Sequence, residues 1–231
     1  MIRKNLFRIL PFLLLTILFV AGLISTLCIY GKGEQHLLLN AFHTPLLDCL
    51  MRVMSAVAEY GVYVLALVFL FRKAGYSAVL AAGSLLSTVV AQVVKHSVNA
   101  LRPLSWFAQN MPEVELTLVE GVQVHSYLSF PSGHTTAAFA LAMALVYVVE
   151  TADRQKEKPQ ARAAWQCALF LLAALCGYSR IYLSQHFALD VLTGCLIGTL
   201  SSLFVCWLAD RLGLTKQSWW QWRICFSKVQ R

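Results

Sequence analysis

Ser179-Arg180-Ile181-Tyr182-Leu183-Ser184-Gln185-His186-Phe187-Ala188-Leu189-Asp190 lies between two apolar runs. It holds polar groups that a membrane-crossing segment accepts only for a reason. His186 and Asp190 are four residues apart, so on a helix they share one face, a turn apart. A carboxylate so placed accepts a hydrogen bond from one imidazole nitrogen and leaves the other as an outward lone pair, the arrangement of an activated nucleophile or base. Arg180 adds a planar fork suited to phosphate. The stretch alone is equally compatible with a helix cap carrying a buried ion pair.

Working outward, the 231-residue chain is 58% hydrophobic and 13% charged. Soluble domains carry about 25% charge. The expected fold is therefore all-α: a polytopic membrane protein with six transmembrane helices in one bundle. The spans are expected at 6–30, 50–71, 76–98, 132–149, 165–182 and 187–209, each near the ~20 residues that cross the hydrocarbon. There is no room for a second folded domain, so residues 1–231 are taken as one membrane-embedded unit.

The net charge of +8 points to nucleic acid only if position is ignored. Arg3, Lys4 and Arg8 precede the first span, and Arg72 and Lys73 lie between the second and third. Arg154, Lys156, Lys158 and Arg162 lie between the fourth and fifth, and Arg211, Lys216, Arg223, Lys228 and Arg231 follow the sixth. That puts 14 of the 19 basic residues on one side, which the positive-inside rule makes cytoplasmic, with both termini. Lys32, Arg52, Lys95, Arg102 and Arg180 fall at or near the outer side. The first apolar run exceeds the ~7–15 residues of a signal core and is read as an uncleaved anchor.

The seven cysteines are scattered, with no C-x-x-C pair, and are read as apolar filler; a Cys28–Cys49 bridge is not expected. Residues 31–47 are expected to form a short outer loop, or a surface helix through His36 to Leu47, with His36 and His43 as plain surface residues. Trp106 and Phe107 are expected to anchor the 101–130 loop at the interface, and Glu113, Glu115 and Glu120 to form a solvated face. Trp219, Trp220 and Trp222, among Lys216, Arg223 and Lys228, read as an interfacial tail. Glu59 and Arg52 are unusual in or near the second span. They either touch substrate or pair with polar groups in the bundle. His96 and His125 carry little weight.

Two further clusters bear on function. In Lys95-His96-Ser97-Val98-Asn99-Ala100-Leu101-Arg102-Pro103, Lys95 ends the third span, and Pro103 biases Arg102 out of the helix. Arg102 can then meet Lys95 around one anion; alternatively, both are snorkelling cations. In Phe130-Pro131-Ser132-Gly133-His134-Thr135-Thr136, Pro131 suits a helix start. Ser132 and Gly133 there would offer free N–H groups as a phosphate cradle, with His134 in the first turn poised to exchange a proton; an ordinary capped helix is the plainer reading. Six spans place all three clusters on one face. A cationic pocket with a paired histidine fits phosphoryl transfer from a lipid head group.

Lys-x6-Arg-Pro, Pro-Ser-Gly-His and Ser-Arg-x5-His-x3-Asp, in this order between Lys95 and Asp190, resemble the three signatures of the type 2 phosphatidic acid phosphatase family. The resemblance implies a metal-independent phosphatase acting on a lipid phosphate or diphosphate, without a cofactor. His186 would attack phosphorus and become phosphorylated, and Asp190 would orient it. His134 would protonate the leaving oxygen and help activate water. Lys95, Arg102, Ser132, Gly133 and Arg180 would hold the phosphate. The implied partners are the lipid substrate and the bilayer, with no nucleic acid and no obligatory protein partner. The implied location is the inner membrane, with the active site at the periplasmic face. Three alternatives remain open: the similar pocket of soluble vanadate-dependent haloperoxidases, a lipid phosphotransferase using the same residues, and a transporter. The lipid itself is undecided among undecaprenyl diphosphate, phosphatidylglycerophosphate, phosphatidic acid and lipid A phosphates.

Overall fold

A computed structural model describes residues 2–152 and 159–224. Its helices are α1 (Ile2–Leu39), α2 (Pro45–Leu70), α3 (Ala74–Val98), α4 (Pro103–Asn110), α5 (Gly133–Ala152), α6 (Pro159–Tyr182) and α7 (Ala188–Arg211), with two short 3-10 turns beyond. No strand occurs among the described residues. Five helical segments are long and apolar enough to cross a membrane, and α2, bent by 47° between Gly61 and Tyr63, makes a sixth if taken as one span. The protein is thus an all-helical, multi-pass membrane bundle. Arg154, Lys156, Lys158, Lys228 and Arg231, part of the expected basic side, lie outside the described residues.

Local chemistry sets the helix ends. Thr44 caps α2, its hydroxyl accepting the Leu47 N–H at 3.2 Å, and Pro45 takes the first helical position. Asn99, at φ 48°, ends α3 in the left-handed conformation that asparagine tolerates, its N–H bonding the Lys95 carbonyl. Leu14, Ile17 and Leu18 of α1, Tyr63 and Leu67 of α2, and Leu85 and Val93 of α3 are exposed. An apolar girdle of this kind is costly in water and suits lipid.

Inside, Phe12, Phe19, Phe139 and Phe170 pack edge-on and stacked around α5. The closest helix contact is α5 on α7. A Cβ at Gly194 would lie 2.6 Å from the Ser132 carbonyl oxygen, and one at Gly198 would lie 2.3 Å from that of Thr136. Missing side chains let the backbones approach, the usual device where lipid supplies no hydrophobic drive. The Ser202 hydroxyl closes the same seam, donating to the Ala140 carbonyl at 2.7 Å.

Several expectations are corrected here. The outer connection is shorter than expected: α1 continues past a kink at Gly31 (φ 74°) to Leu39, leaving only 40–44 before α2. His36 is buried, with its ring 5.2 Å from Phe187 and 5.7 Å from Phe107. His43 lies over the Tyr182 ring and faces Asp48 at 3.3 Å. Phe107 is a core residue on α4, not an interface anchor, because α4 folds back against Phe187. Trp220 is also buried, against Gly75 at the start of α3, and the Ala74 N–H bonds the Trp222 carbonyl. The tail is therefore tied to the bundle. Glu113, Glu115 and Glu120 are exposed as expected. Cys28 and Cys49 are exposed and unpaired.

Candidate active site

The three sequence clusters meet at one end of the bundle, where residues 40–44, 99–102, 111–132 and 183–187 run between helices. Cross-links hold these segments together. Asn40 donates to the carbonyls of Ile181 and Tyr182, Gln185 donates to that of Gln123, and the Arg102 N–H bonds the Ser126 carbonyl.

α6 stops at Tyr182, and the chain turns through Ser184 at φ 49°. The N–H groups of Gln185 and His186 both return to the Arg180 carbonyl, at 2.9 and 3.1 Å. This turn fixes His186 relative to Arg180. His186 therefore precedes α7 rather than sharing a helix face with Asp190, which corrects the helical reading of the pair. Asp190 is the third residue of α7, and its carboxylate reaches back to the Phe187 N–H at 2.9 Å, half of a capping box. The same oxygen accepts the Ser129 hydroxyl at 2.5 Å and faces His186 Nδ1 at 3.4 Å. Both side chains are buried. Burial pushes the His186 imidazole down to about 4, against the opposing pull of Asp190 and with Arg102 and Arg180 adding to the fall. At neutral pH it is uncharged and carries a lone pair.

The cations surround this pair. Arg102 is buried, with Nη1 2.7 Å from the Gln185 side-chain oxygen and Nε 3.0 Å from the Tyr127 carbonyl. Arg180 is buried and bonds the Ser55 hydroxyl of α2, while its Nε has no hydrogen-bond partner among the described residues. Lys95 ends α3 beside Gly133: a Cβ there would sit 3.8 Å from the ammonium nitrogen. His134 lies within electrostatic reach of Arg180, His186, Lys95 and Arg102. All eight predicted site residues thus come together.

Ser132 departs in detail from its expected part. Its N–H is not free but bonds the Asp190 carbonyl at 3.0 Å, tying α5 to α7. Its hydroxyl accepts the Thr135 hydroxyl at 2.8 Å, and its carbonyl accepts the Thr136 N–H, so Ser132 caps α5. Three residues were missed: Ser129 on Asp190, Gln185 on Arg102 and Ser55 on Arg180. Ser129 and Gln185 adjoin recognised clusters, and Ser55 stands one turn before Glu59, but nothing in their types marks them out. Glu59 faces His134 Nε2 at 3.6 Å. Arg52 instead lies near Gly121 and Asp48. His96 is exposed beside the site. Among the described residues no three His, Cys, Asp or Glu side chains converge as metal ligands.

A cavity of about 390 Å³ opens between α2, α3 and α5. Lys95, Gly133, His134 and Glu59 mark its polar end, and Ala66, Ala81 and Leu85 its apolar depth.

The family model described as the PAP2 superfamily matches residues 60–213. The "Bacitracin transport permease protein BcrC" of Bacillus licheniformis is 27% identical over 168 residues, 71% of this chain and 74% of that protein. Among solved structures, LpxE of Aquifex aeolicus superposes with a TM-score of 0.59 at 28% identity, covering 75% of this chain and 93% of its own. A transmembrane PAP2 type phosphatidylglycerolphosphate phosphatase from Bacillus subtilis superposes at 0.62 and 19% identity, covering 89% and 98%; that likeness bears on the fold alone.

Proposed function

The chain belongs to the PAP2 superfamily, and from that premise we propose that it is a membrane lipid phosphatase that removes a terminal phosphate through a phosphohistidine. The observation that carries this reading is the buried His186, with Nδ1 toward Asp190 at 3.4 Å and a rim formed by Arg102, Arg180 and Lys95. Nε2 is then the attacking atom. It forms an N–P bond as the P–O bond to the lipid breaks, and the leaving oxygen takes a proton from His134. Water next attacks the phosphorus, the P–N bond breaks back onto His186, and His134 takes the water's proton. One water is consumed and inorganic phosphate is released. Lys95, Arg102, Arg180, the Gly133 N–H and the Ser132 hydroxyl bind the charge that spreads over the phosphoryl oxygens. These roles need no metal.

The substrate class is a lipid phosphate or diphosphate: undecaprenyl diphosphate, phosphatidylglycerophosphate, phosphatidic acid or a lipid A phosphate. The apolar depth of the cavity beside His134 supports a lipid over a soluble ester. Purified protein should release phosphate from at least one member of this panel, and excess EDTA should leave the rate within about two-fold, because no acidic cage suited to Mg²⁺ is invoked. Loss of activity in EDTA with recovery in Mg²⁺ would contradict the mechanism. A transferase would pass the phosphoryl group to a second lipid, which product analysis detects. The permease name of one relative raises transport. A permease would move its cargo without releasing phosphate, so the same assay separates the two.

The site is assigned to the periplasmic face of the inner membrane, with both termini cytoplasmic. Arg72, Lys73, Arg162, Arg211 and Lys216 support this, all at the end opposite the candidate site. A reporter fused after Arg231 should be cytoplasmic, and one within 101–130 external. The reverse labelling would overturn the assignment.

A further inference from the structure

Glu59 is a carboxylate on α2 with no place in the three signatures, on a mostly apolar helix. An ionisable group at such a position is costly and calls for a partner. Its Oε2 lies 3.6 Å from His134 Nε2, and both residues line the polar end of the cavity. One turn earlier on the same helix, Ser55 bonds Arg180. α2 therefore presents a polar edge, Ser55 and Glu59, to two residues of the candidate site.

The charges facing His134 explain why a carboxylate is useful there. Lys95 approaches from α3, Arg102 from the α3–α4 connection, Arg180 from α6 and His186 from the turn before α7. Three are cations. They favour a bound phosphate, and a general acid standing among them must still hand its proton to the leaving oxygen. Glu59 is the group at ion-pair distance that offsets them.

We propose that Glu59 is a positioning residue for His134, holding the imidazole by Nε2 so that Nδ1 exchanges the proton with the leaving lipid oxygen. The proposal rests on His134 being the general acid. It makes the second helix part of the proton-transfer machinery rather than only a wall for the lipid tail.

The test uses purified full-length protein and two substrates: a lipid phosphate, whose alkoxide leaving group needs protonation, and an aryl phosphate, whose leaving group needs little. Glu59→Gln should lower kcat on the lipid phosphate about 10- to 100-fold, a part of the ~10²–10⁴ that general-acid catalysis supplies, with KM changed less than about three-fold. Aryl phosphate turnover should stay within about three-fold of the parent, which also reports that the variant is folded. Glu59→Asp should recover part of the loss. In a His134→Ala background Glu59→Gln should add nothing, since the two act as one unit. Equal slowing of both substrates, a loss carried by KM alone, or fully additive losses would each overturn the proposal. If His134→Ala itself slows both substrates alike, the general-acid reading falls and takes this proposal with it. Selectivity in His134→Ala without selectivity in Glu59→Gln overturns the proposal alone.

Discussion

His186→Ala is expected to abolish turnover on every substrate, lipid or aryl, by at least ~10³-fold. Removing the nucleophile of a covalent mechanism leaves only binding and electrostatic stabilisation. Leaving-group quality cannot rescue it, which distinguishes it from His134→Ala. Asp190→Asn should fall between the parent and His186→Ala. The imidazole then remains, but the carboxylate that faces Nδ1 at 3.4 Å and supports its developing positive charge is gone. The same carboxylate binds Ser129 and the Phe187 N–H, so part of that loss will come from the turn itself. Steady-state rates on both substrate types check the order. Parent-like turnover in His186→Ala would remove the nucleophile from the account.

Gly198→Ala is expected to have the largest structural effect of any single methyl group. The new Cβ would meet the Thr136 carbonyl oxygen at 2.3 Å and the Ala140 nitrogen at 2.8 Å. Both are backbone atoms, so α5 and α7 must separate, and overpacking of this kind costs about 1–3 kcal/mol or more. The damage reaches the site because Ser132 caps α5 and α7 carries Asp190, joined by the Ser132 N–H to the Asp190 carbonyl. Loss of thermal stability in detergent should therefore accompany loss of activity. Gly22→Ala, whose Cβ meets nothing within 4 Å, is the matched control and should be neutral or mildly stabilising. Equal melting temperatures for the two variants would show that α5 and α7 are not locked there.

Hydropathy sufficed for five spans, and for α2 as a sixth when its bent halves count as one, because each long apolar run has only one way to satisfy its backbone in lipid. It misplaced what lies at the ends. The kink at Gly31 let α1 continue to Leu39, and His36 looked like surface because the rings that cover it are distant in sequence. His36 is covered by Phe107 and Phe187, more than seventy residues away. Trp220 looked interfacial for the same reason: the glycine that receives it, Gly75, begins another helix. At the candidate site, spacing found the charged and imidazole residues, whose chemistry is rare in a membrane. It could not find Ser129, Gln185 or Ser55, common polar residues whose roles depend on what folds against them. The His186–Asp190 spacing was informative although its helical explanation was wrong, since a capping turn also brings the two together.

The most direct test of the account is to quench purified protein with alkaline detergent, which preserves an N–P bond that acid would hydrolyse, during turnover of a labelled lipid phosphate and map the label. The account predicts phosphate on a nitrogen of His186, absent in His186→Ala and accumulating in His134→Ala if that residue also activates water. Label on His134, or substrate turning over with no phosphoenzyme at any quench time, would contradict it.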